Sequence, residues 1–346
     1  MNSEKPVIAE LQRRASAQVP IWLMRQAGRY LPEYRAVRAQ AKSFLELCFT
    51  PEFAVEVTLQ PIRRFALDAA IIFSDILVIP HALGQPVSFE EGRGPVLEPI
   101  RSAAKVRKLS LDRLLTTLAP VATAIAAVRR ELPEHVALFG FAGAPWTVAS
   151  YMVEGAGGSD FATTKAWAYR EPESFSLLID LLVDATSAYL LQQVEAGAEI
   201  LQIFDSWAGV LSAAALERWC LRPTAEIVRR VKARHPDVPI VVFPRGIGAS
   251  YARYAAECGC DGLSLDTAVA PEWAAAALQP SLAVQGNLDP QVLVAGGDVM
   301  RTEATRILER LGAGPFVFNL GHGIVPQTPP EHVAALCELV HDWKRG

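Results

Sequence analysis

Arginine is crowded into one short stretch. Residues 24–38, MRQAGRYLPEYRAVR, hold Arg25, Arg29, Arg35 and Arg38. A guanidinium stays charged at working pH, and its planar fork grips a carboxylate or phosphate at two points. Gly28 and Pro32 interrupt the stretch, so it is not one uniform helix. It follows the apolar run Ile21-Trp22-Leu23-Met24, which reads as a buried strand. Several arginines on a loop after a strand suit a small polyanion. A solvated basic segment paired with Glu33 and Glu46 would look the same, and from these residues alone the two readings weigh evenly.

Other polar residues stand where apolar runs end. Asp75 closes AAIIFSD (69–75), and Gly143 to Tyr151 follow VALFGFAG (136–143). Asp205 and Ser206 follow EILQIF (199–204), Arg245 follows PIVVF (239–243), and Asp266 follows GLSL (262–265). Gln285 and Asn287 lie at the end of LAVQG (282–286), and His322 follows FVFNL (316–320). Continuous apolar runs suit strands buried on both faces, as in a parallel sheet. Polar groups repeated at their ends would be penalised in a closed core, so these ends point to an open face.

The segments between the runs predict helices. The first spans 51–65, with Thr50 as N-cap and Pro51 at the first helical position. Others are expected over 111–130, 173–196, 212–234, 249–258, 271–278, 290–311 and 329–344, with Gly197 stopping the third. Eight strand–helix units in alternation predict an α/β fold, a (β/α)8 TIM barrel, as a single domain over 1–346. Residues 84–101, rich in Gly and Pro, read as an inserted hairpin, and residues 1–20 as a segment free to be flexible. A doubly wound open sheet is the alternative. In a barrel the C-terminal strand ends carry the site.

Composition narrows the function. The chain has 346 residues and a formal net charge of −4, so nucleic acid is not an expected partner. Five cysteines without CxxC suit a reduced, cytoplasmic protein, and Cys258-Gly-Cys260 lacks a second ligand pair for a metal. The N-terminus lacks an apolar signal core. The uncharged run 136–153 is of membrane length but is broken by Gly140, Gly143 and Pro145, so no membrane association is expected. No HxH, HExxH, GxSxG, Walker or GxGxxG pattern occurs.

Six motifs in order carry a family resemblance. RQAGRYLPEYR (25–35), FSDIL (73–77), GAPWTVASYMVEG (143–155), FDSWAG (204–209), QGNLDP (285–290) and NLGHG (319–323) resemble those of uroporphyrinogen decarboxylase. The likeness covers about residues 20–343. It implies a cytoplasmic homodimer of porphyrin and haem biosynthesis that cuts the four acetate arms of uroporphyrinogen III to methyls, giving coproporphyrinogen III and CO2. The implied site, residue by residue, is Arg25, Arg29, Asp75, Tyr151, Ser206 and His322, with Gln26, Ala27 and Gly28 of the same RQAGR motif. Arg38 also matches a family arginine, and Phe73 and Phe204 would be apolar walls. The sequence departs from the family where Arg245 replaces a frequent Lys and where LDTAV (265–269) lacks a Trp often found after the Asp.

The residues make sense of this chemistry. Decarboxylation leaves a carbanion that needs an electron sink. A pyrrole protonated on a ring α-carbon is its own sink, so neither metal nor cofactor is expected. Arginines should hold the spectator carboxylates, because gripping the leaving one would favour the ground state. An ionised Asp75 can accept several pyrrole N–H groups and stabilise the ring cation; a helix cap at Ser74-Asp75 is its plain alternative. The proton donor stays open between Arg25 and Arg29, which hold protons tightly, and Tyr151, His322 or a bound water. Two rival functions are a non-catalytic tetrapyrrole carrier and a corrinoid-dependent methyltransferase. The latter needs an HxC zinc motif where this chain has Phe243-Pro244-Arg245.

Overall fold

The computed structural model describes residues 5–90, 92, 94–158 and 160–345. Its strands are β1 (Ala69–Ile71), β2 (Val87–Glu90), β3 (Gly94–Leu97), β4 (Ala137–Gly143), β5 (Ile200–Asp205), β6 (Ile240–Pro244), β7 (Gly262–Ser264), β8 (Ala283–Leu288) and β9 (Phe316–Leu320). Seven of them form one parallel sheet in the order β1-β4-β5-β6-β7-β8-β9. β2 and β3 pair antiparallel, Val87 opposite Leu97, as the inserted hairpin. Glu91 and Arg93 at its tip lie outside the described residues.

The eighth stave is not a regular strand. The run 21–24 contributes a single parallel bridge, Ile21 to Phe318. Phe318 N–H donates to Pro20 O at 2.8 Å, and Asp68 N–H donates to Ile21 O at 2.9 Å. The segment thus stitches β9 to the start of β1 and closes the barrel. It cannot extend its ladder, because side chains take over the backbone bonds. Asp68 Oδ2 accepts Ile21 N–H at 2.8 Å, and Asn319 Oδ1 accepts Met24 N–H at 3.0 Å. Arg25 then turns into the left-handed region at φ 62°.

Other boundaries shift for local reasons. β1 stops at Ile71, short of the expected 75, and Phe73 N–H donates to Thr58 Oγ1 at 2.9 Å instead. Thr50 sits at the N-cap of the Pro51–Arg64 helix, but its side chain makes no capping bond; Pro51 supplies the pre-set turn. The helix expected over 212–234 carries a π segment at Glu217–Leu221, and the one over 290–311 breaks at Gly296. The Pro172–Glu195 helix is apolar and long enough to span a bilayer by composition alone, yet Phe175, Leu178, Leu182 and Leu190 are buried against the barrel. The 136–153 run is β4 plus the buried Pro145–Glu154 helix.

The barrel interior is layered. At the N-terminal end the Pro6–Leu11 helix inserts Val7 and Leu11 among Trp22, Ala69, Ala137, Phe139, Val241, Ala283 and Val317. The alanines leave room for the large rings. Val7, Ala9, Glu10 and Leu11 are buried there, as are Val19 and Pro20, while residues 12–15, 17 and 18 are exposed and residues 1–4 lie outside the described residues. Above this plug lies a polar layer. Trp22 Nε1 donates to Gln285 Oε1 at 2.8 Å, and Gln285 Nε2 donates to Ser264 Oγ at 2.5 Å and Gln202 Oε1 at 3.2 Å. Gln285, expected on the open face, is fully buried in this network.

Candidate active site

The C-terminal strand ends separate into two groups. One group is structural. Asp266 Oδ2 accepts Gly246 N–H at 2.7 Å and Tyr251 O–H at 3.1 Å, and its Oδ1 accepts Ala268 N–H at 2.9 Å. Asn287 Nδ2 donates to the carbonyls of Asp266 and Val269 at 2.9 and 2.8 Å. Asp205 is buried beneath the mouth, where Thr147 Oγ1 donates to its Oδ1 at 2.5 Å; burial pushes its carboxyl up to about 6. These contacts fix the loops, and Asp205 Oδ2 and Asn287 Oδ1 are buried without a hydrogen-bond partner among the described residues.

The second group converges. Asp75 is half-buried after β1. Its Oδ1 accepts Leu77 N–H at 2.8 Å, which shapes the turn into the Val78–Ala82 helix. Among the described residues nothing donates to its Oδ2. One oxygen therefore does the local capping and the other is left for a ligand. Burial raises this carboxyl to about 6, opposed by the Leu77 N–H and by the charge of Arg25. Tyr151 and His322 share that field. Burial and the charge of Asp75 raise the Tyr151 phenol, with Arg25 pulling the other way. Burial, then the charges of Arg25 and Arg245, push His322 down to about 4. His322 is consequently a neutral imidazole at pH 7.

The arginine stretch divides in the same way. Arg35 Nη1 donates to the carbonyls of Arg29 and Tyr30, at 2.7 and 3.2 Å, and Arg38 Nη1 donates to Ala41 O at 2.9 Å. Arg35 thus braces the loop, while Arg38, half-buried, acts on Tyr34 together with Arg29 and Asp75. Arg25 and Arg29 are exposed and, among the described residues, form no ion pair. Glu33 pairs with Arg64 at 3.0 Å and Glu46 accepts Lys42 N–H, so neither neutralises the stretch as the solvated reading required. Arg25 lies against Gly323, where a Cβ would meet its Cδ at 2.4 Å. The NLGHG glycine thereby seats the RQAGR arginine.

Gln26 is buried with its amide committed. Its Oε1 accepts Leu23 N–H at 3.1 Å and its Nε2 donates to Ala69 O at 3.1 Å. It holds the Arg25 turn together with its backbone, whose N–H donates to Leu23 O at 3.0 Å and whose carbonyl accepts Tyr30 O–H at 2.8 Å; Ala27 and Gly28 are half-buried beside it. Ser206 is half-buried at the mouth. Phe73 packs at 5.6 Å from Tyr34 and 5.9 Å from Phe44. Phe204 belongs to an apolar wall that also includes Phe141 and Phe243. Its ring lies 5.7 Å from Phe141 and 6.4 Å from Phe243, and Phe243 lies 6.3 Å from His322. Strand alternation is the signal for the missed pair: Phe141 and Phe243 share parity with inward-facing Phe139 and Val241. Among the described residues, no three His, Cys, Asp or Glu side chains group as metal ligands.

The mouth thus joins two arginines unpaired among the described residues, a raised carboxyl, a neutral His, a Tyr and an aromatic wall. The family model described as Uroporphyrinogen decarboxylase (URO-D) matches residues 2–343. The chain belongs to the uroporphyrinogen decarboxylase family. It is 52% identical over 338 residues to the uroporphyrinogen decarboxylase of Rhodospirillum rubrum, covering 98% of this chain and 97% of that one. It is also 52% identical over 345 residues to that of Mesorhizobium japonicum, covering 100% of both. In fold it is similar to a methyltransferase from Methanosarcina mazei, with a TM-score of 0.81 over 97% of this chain and 98% of that one, at 22% identity. That likeness extends to the barrel. The uroporphyrinogen decarboxylase motifs are those that build the mouth: RQAGR gives the arginines, FSD the carboxyl, NLGHG the imidazole and the seat for Arg25.

Proposed function

We propose that this protein decarboxylates the four acetate arms of uroporphyrinogen III to methyls, yielding coproporphyrinogen III and CO2. Asp75 Oδ2, with no protein donor among the described residues, is the observation that carries the reading. A reduced tetrapyrrole is not conjugated around its ring, so it can pucker and turn its pyrrole N–H groups to one side. An ionised carboxylate can accept several of them. Arg25 and Arg29 hold spectator carboxylates at two points each. The reacting acetate faces the Phe141, Phe204 and Phe243 wall, where the carboxylate is poorly solvated.

Protonation of a pyrrole α-carbon makes a ring cation beside the Asp75 charge. The C–C bond to the carboxylate breaks, CO2 leaves, and its electron pair enters the ring to give an exocyclic methylene. A proton then adds to that carbon, and loss of the α-carbon proton restores the pyrrole with a methyl arm. Asp75 stabilises the cation more than the neutral ring, which lowers the barrier. His322 at about 4 is scarcely protonated at pH 7, and the Tyr151 phenol is raised, so neither suits the acid role. His322, Tyr151 and Ser206 then serve as hydrogen-bonding groups to carboxylate arms. All five cysteines are unpaired, which supports a reducing cytoplasm. A homodimer, implied by the family resemblance, is read by sedimentation velocity.

The test is anaerobic incubation with enzymically generated uroporphyrinogen III, then oxidation and chromatography. Stepwise loss of four carboxyl groups is expected; binding without any loss would make the protein a carrier. Two further outcomes follow. Asp75 must be ionised in the free enzyme, and its carboxyl sits at about 6. In a pH profile, kcat/KM should therefore fall by one proton's slope as pH drops through that value. A profile flat to pH 5 or so would remove Asp75 from this role. Arg29→Lys keeps the charge but loses the fork. KM should rise about tenfold with an unchanged Tm, since Arg29 is exposed. Wild-type KM would place Arg29 off the site.

A further inference from the structure

Arg245 stands apart from the other arginines of the mouth. Counting the 20–22 segment as the first stave, β6 is the fifth of eight, so Arg245 ends the strand opposite Arg25 and Arg29. Val241 and Phe243 face the barrel interior, and Arg245 is the first residue past β6, where the chain turns and its N–H also bonds back to Phe243 O at 3.1 Å. Its backbone is fixed to the neighbouring stave. Its N–H donates to Asp205 O at 3.1 Å, and its carbonyl accepts Gly209 N–H at 3.0 Å.

The two acids nearest in the fold are otherwise engaged. Asp266 accepts from Gly246, Tyr251 and Ala268, and Asp205 is buried with Thr147. Among the described residues Arg245 forms no ion pair, though it is half-buried. Its charge nevertheless reaches into the mouth, because it helps hold His322 neutral, after burial and Arg25. The residues directly after the other staves opposite Arg25, namely 206–212, 265–270 and 144–149, contain no Lys or Arg. A half-buried guanidinium is seldom left unmatched, because its desolvation goes uncompensated.

We infer that Arg245 is a substrate-binding residue that grips a spectator carboxylate arm on the far side of the macrocycle from Arg25 and Arg29. This rests on the reading of the site as one for uroporphyrinogen. A ring with eight carboxylate arms presents anions all round its rim, and arginines from one stave reach only one side. Arg245 supplies the opposing clamp. Because all four acetates must in turn face the same reacting position, opposed clamps would hold the ring in one plane through successive rotations.

The test compares wild type with Arg245→Gln and Arg245→Lys on uroporphyrinogen, recording kcat, KM and Tm for each. A spectator contact is made equally in ground and transition states, so its loss appears in KM. Arg245→Gln should raise KM about tenfold to hundredfold with kcat within about threefold. Arg245→Lys should fall between, because it keeps the charge without the fork. Tm should stay within about 2 °C, as at positions free of structural contacts. Unchanged KM in a folded Arg245→Gln protein, or a fall in kcat alone, would overturn the inference. So would unfolding of both variants, which would make Arg245 a structural residue. An inactive wild type would instead overturn the decarboxylase reading.

Discussion

Asp75→Asn should slow turnover by a factor on the order of 10²–10³, about 3–4 kcal/mol in the barrier, and leave the fold intact. The local structure sets the orientation of the new side chain. Oδ1 of Asp75 caps the turn by accepting Leu77 N–H at 2.8 Å. An Asn keeps that bond with its carbonyl oxygen, so its NH2 takes the place of Oδ2. Two donors then face each other where an acceptor met the pyrrole N–H groups. The negative charge beside the ring cation is also gone. Binding weakens through the lost acceptor, and turnover falls further, because the charge acts mainly once the cation forms. Asp75→Glu keeps the charge but moves it by one methylene, so binding should suffer more than in a matched pocket. Circular dichroism and Tm check the fold, and single-turnover rates check the chemistry. A folded Asn variant with near wild-type turnover would leave Asp75 as a helix cap only.

Glu10→Ala is expected to give the largest loss of stability. Glu10 is fully buried at the N-terminal end of the barrel, far from the mouth. Its Oε1 accepts Ser16 N–H and O–H at 2.8 and 2.7 Å and Arg345 Nη2 at 2.6 Å. Its Oε2 accepts Phe316 N–H at 3.0 Å. Removing it strands the mostly buried Arg345 guanidinium and a backbone N–H in β9. Leaving one member of a buried pair costs about 3–5 kcal/mol. With the usual unfolding entropy per residue, a chain of this length should lose about 4–7 °C in Tm. Glu10→Gln retains acceptors for Phe316 and Ser16 and should lose less. The KM and kcat of the folded protein should not change. An unaltered Tm in Glu10→Ala would mean that the Pro6–Leu11 plug contributes little to holding the barrel closed.

Much of this protein was legible along the chain. Seven strands lie within a few residues of their expected places, because runs such as VALFGFAG and PIVVF are buried on both faces and keep one signature wherever they sit. The hairpin was marked by its Gly and Pro residues, and the mouth by polar residues ending apolar runs. The first stave departs from a regular strand because side chains distant in sequence decide its pairing. Asp68 and Asn319 take the N–H groups that a ladder would use.

The sequence by itself determined the residue types at each strand end, and hence the class of chemistry. It could not sort those residues into mouth and frame. Asp75 and Asp205 both end apolar runs, and burial raises both carboxyls to about 6. Only the tertiary structure turns one toward the mouth with a free oxygen and the other beneath it onto Thr147. The same holds for the arginines. Arg25 and Arg35 are alike in type, but one is seated on Gly323 facing the site and the other is bound to the carbonyls of Arg29 and Tyr30. The physical reason is that direction and partner are non-local. A polar group's role depends on which donors and charges the fold brings within a few ångströms, and spacing along the chain does not encode that.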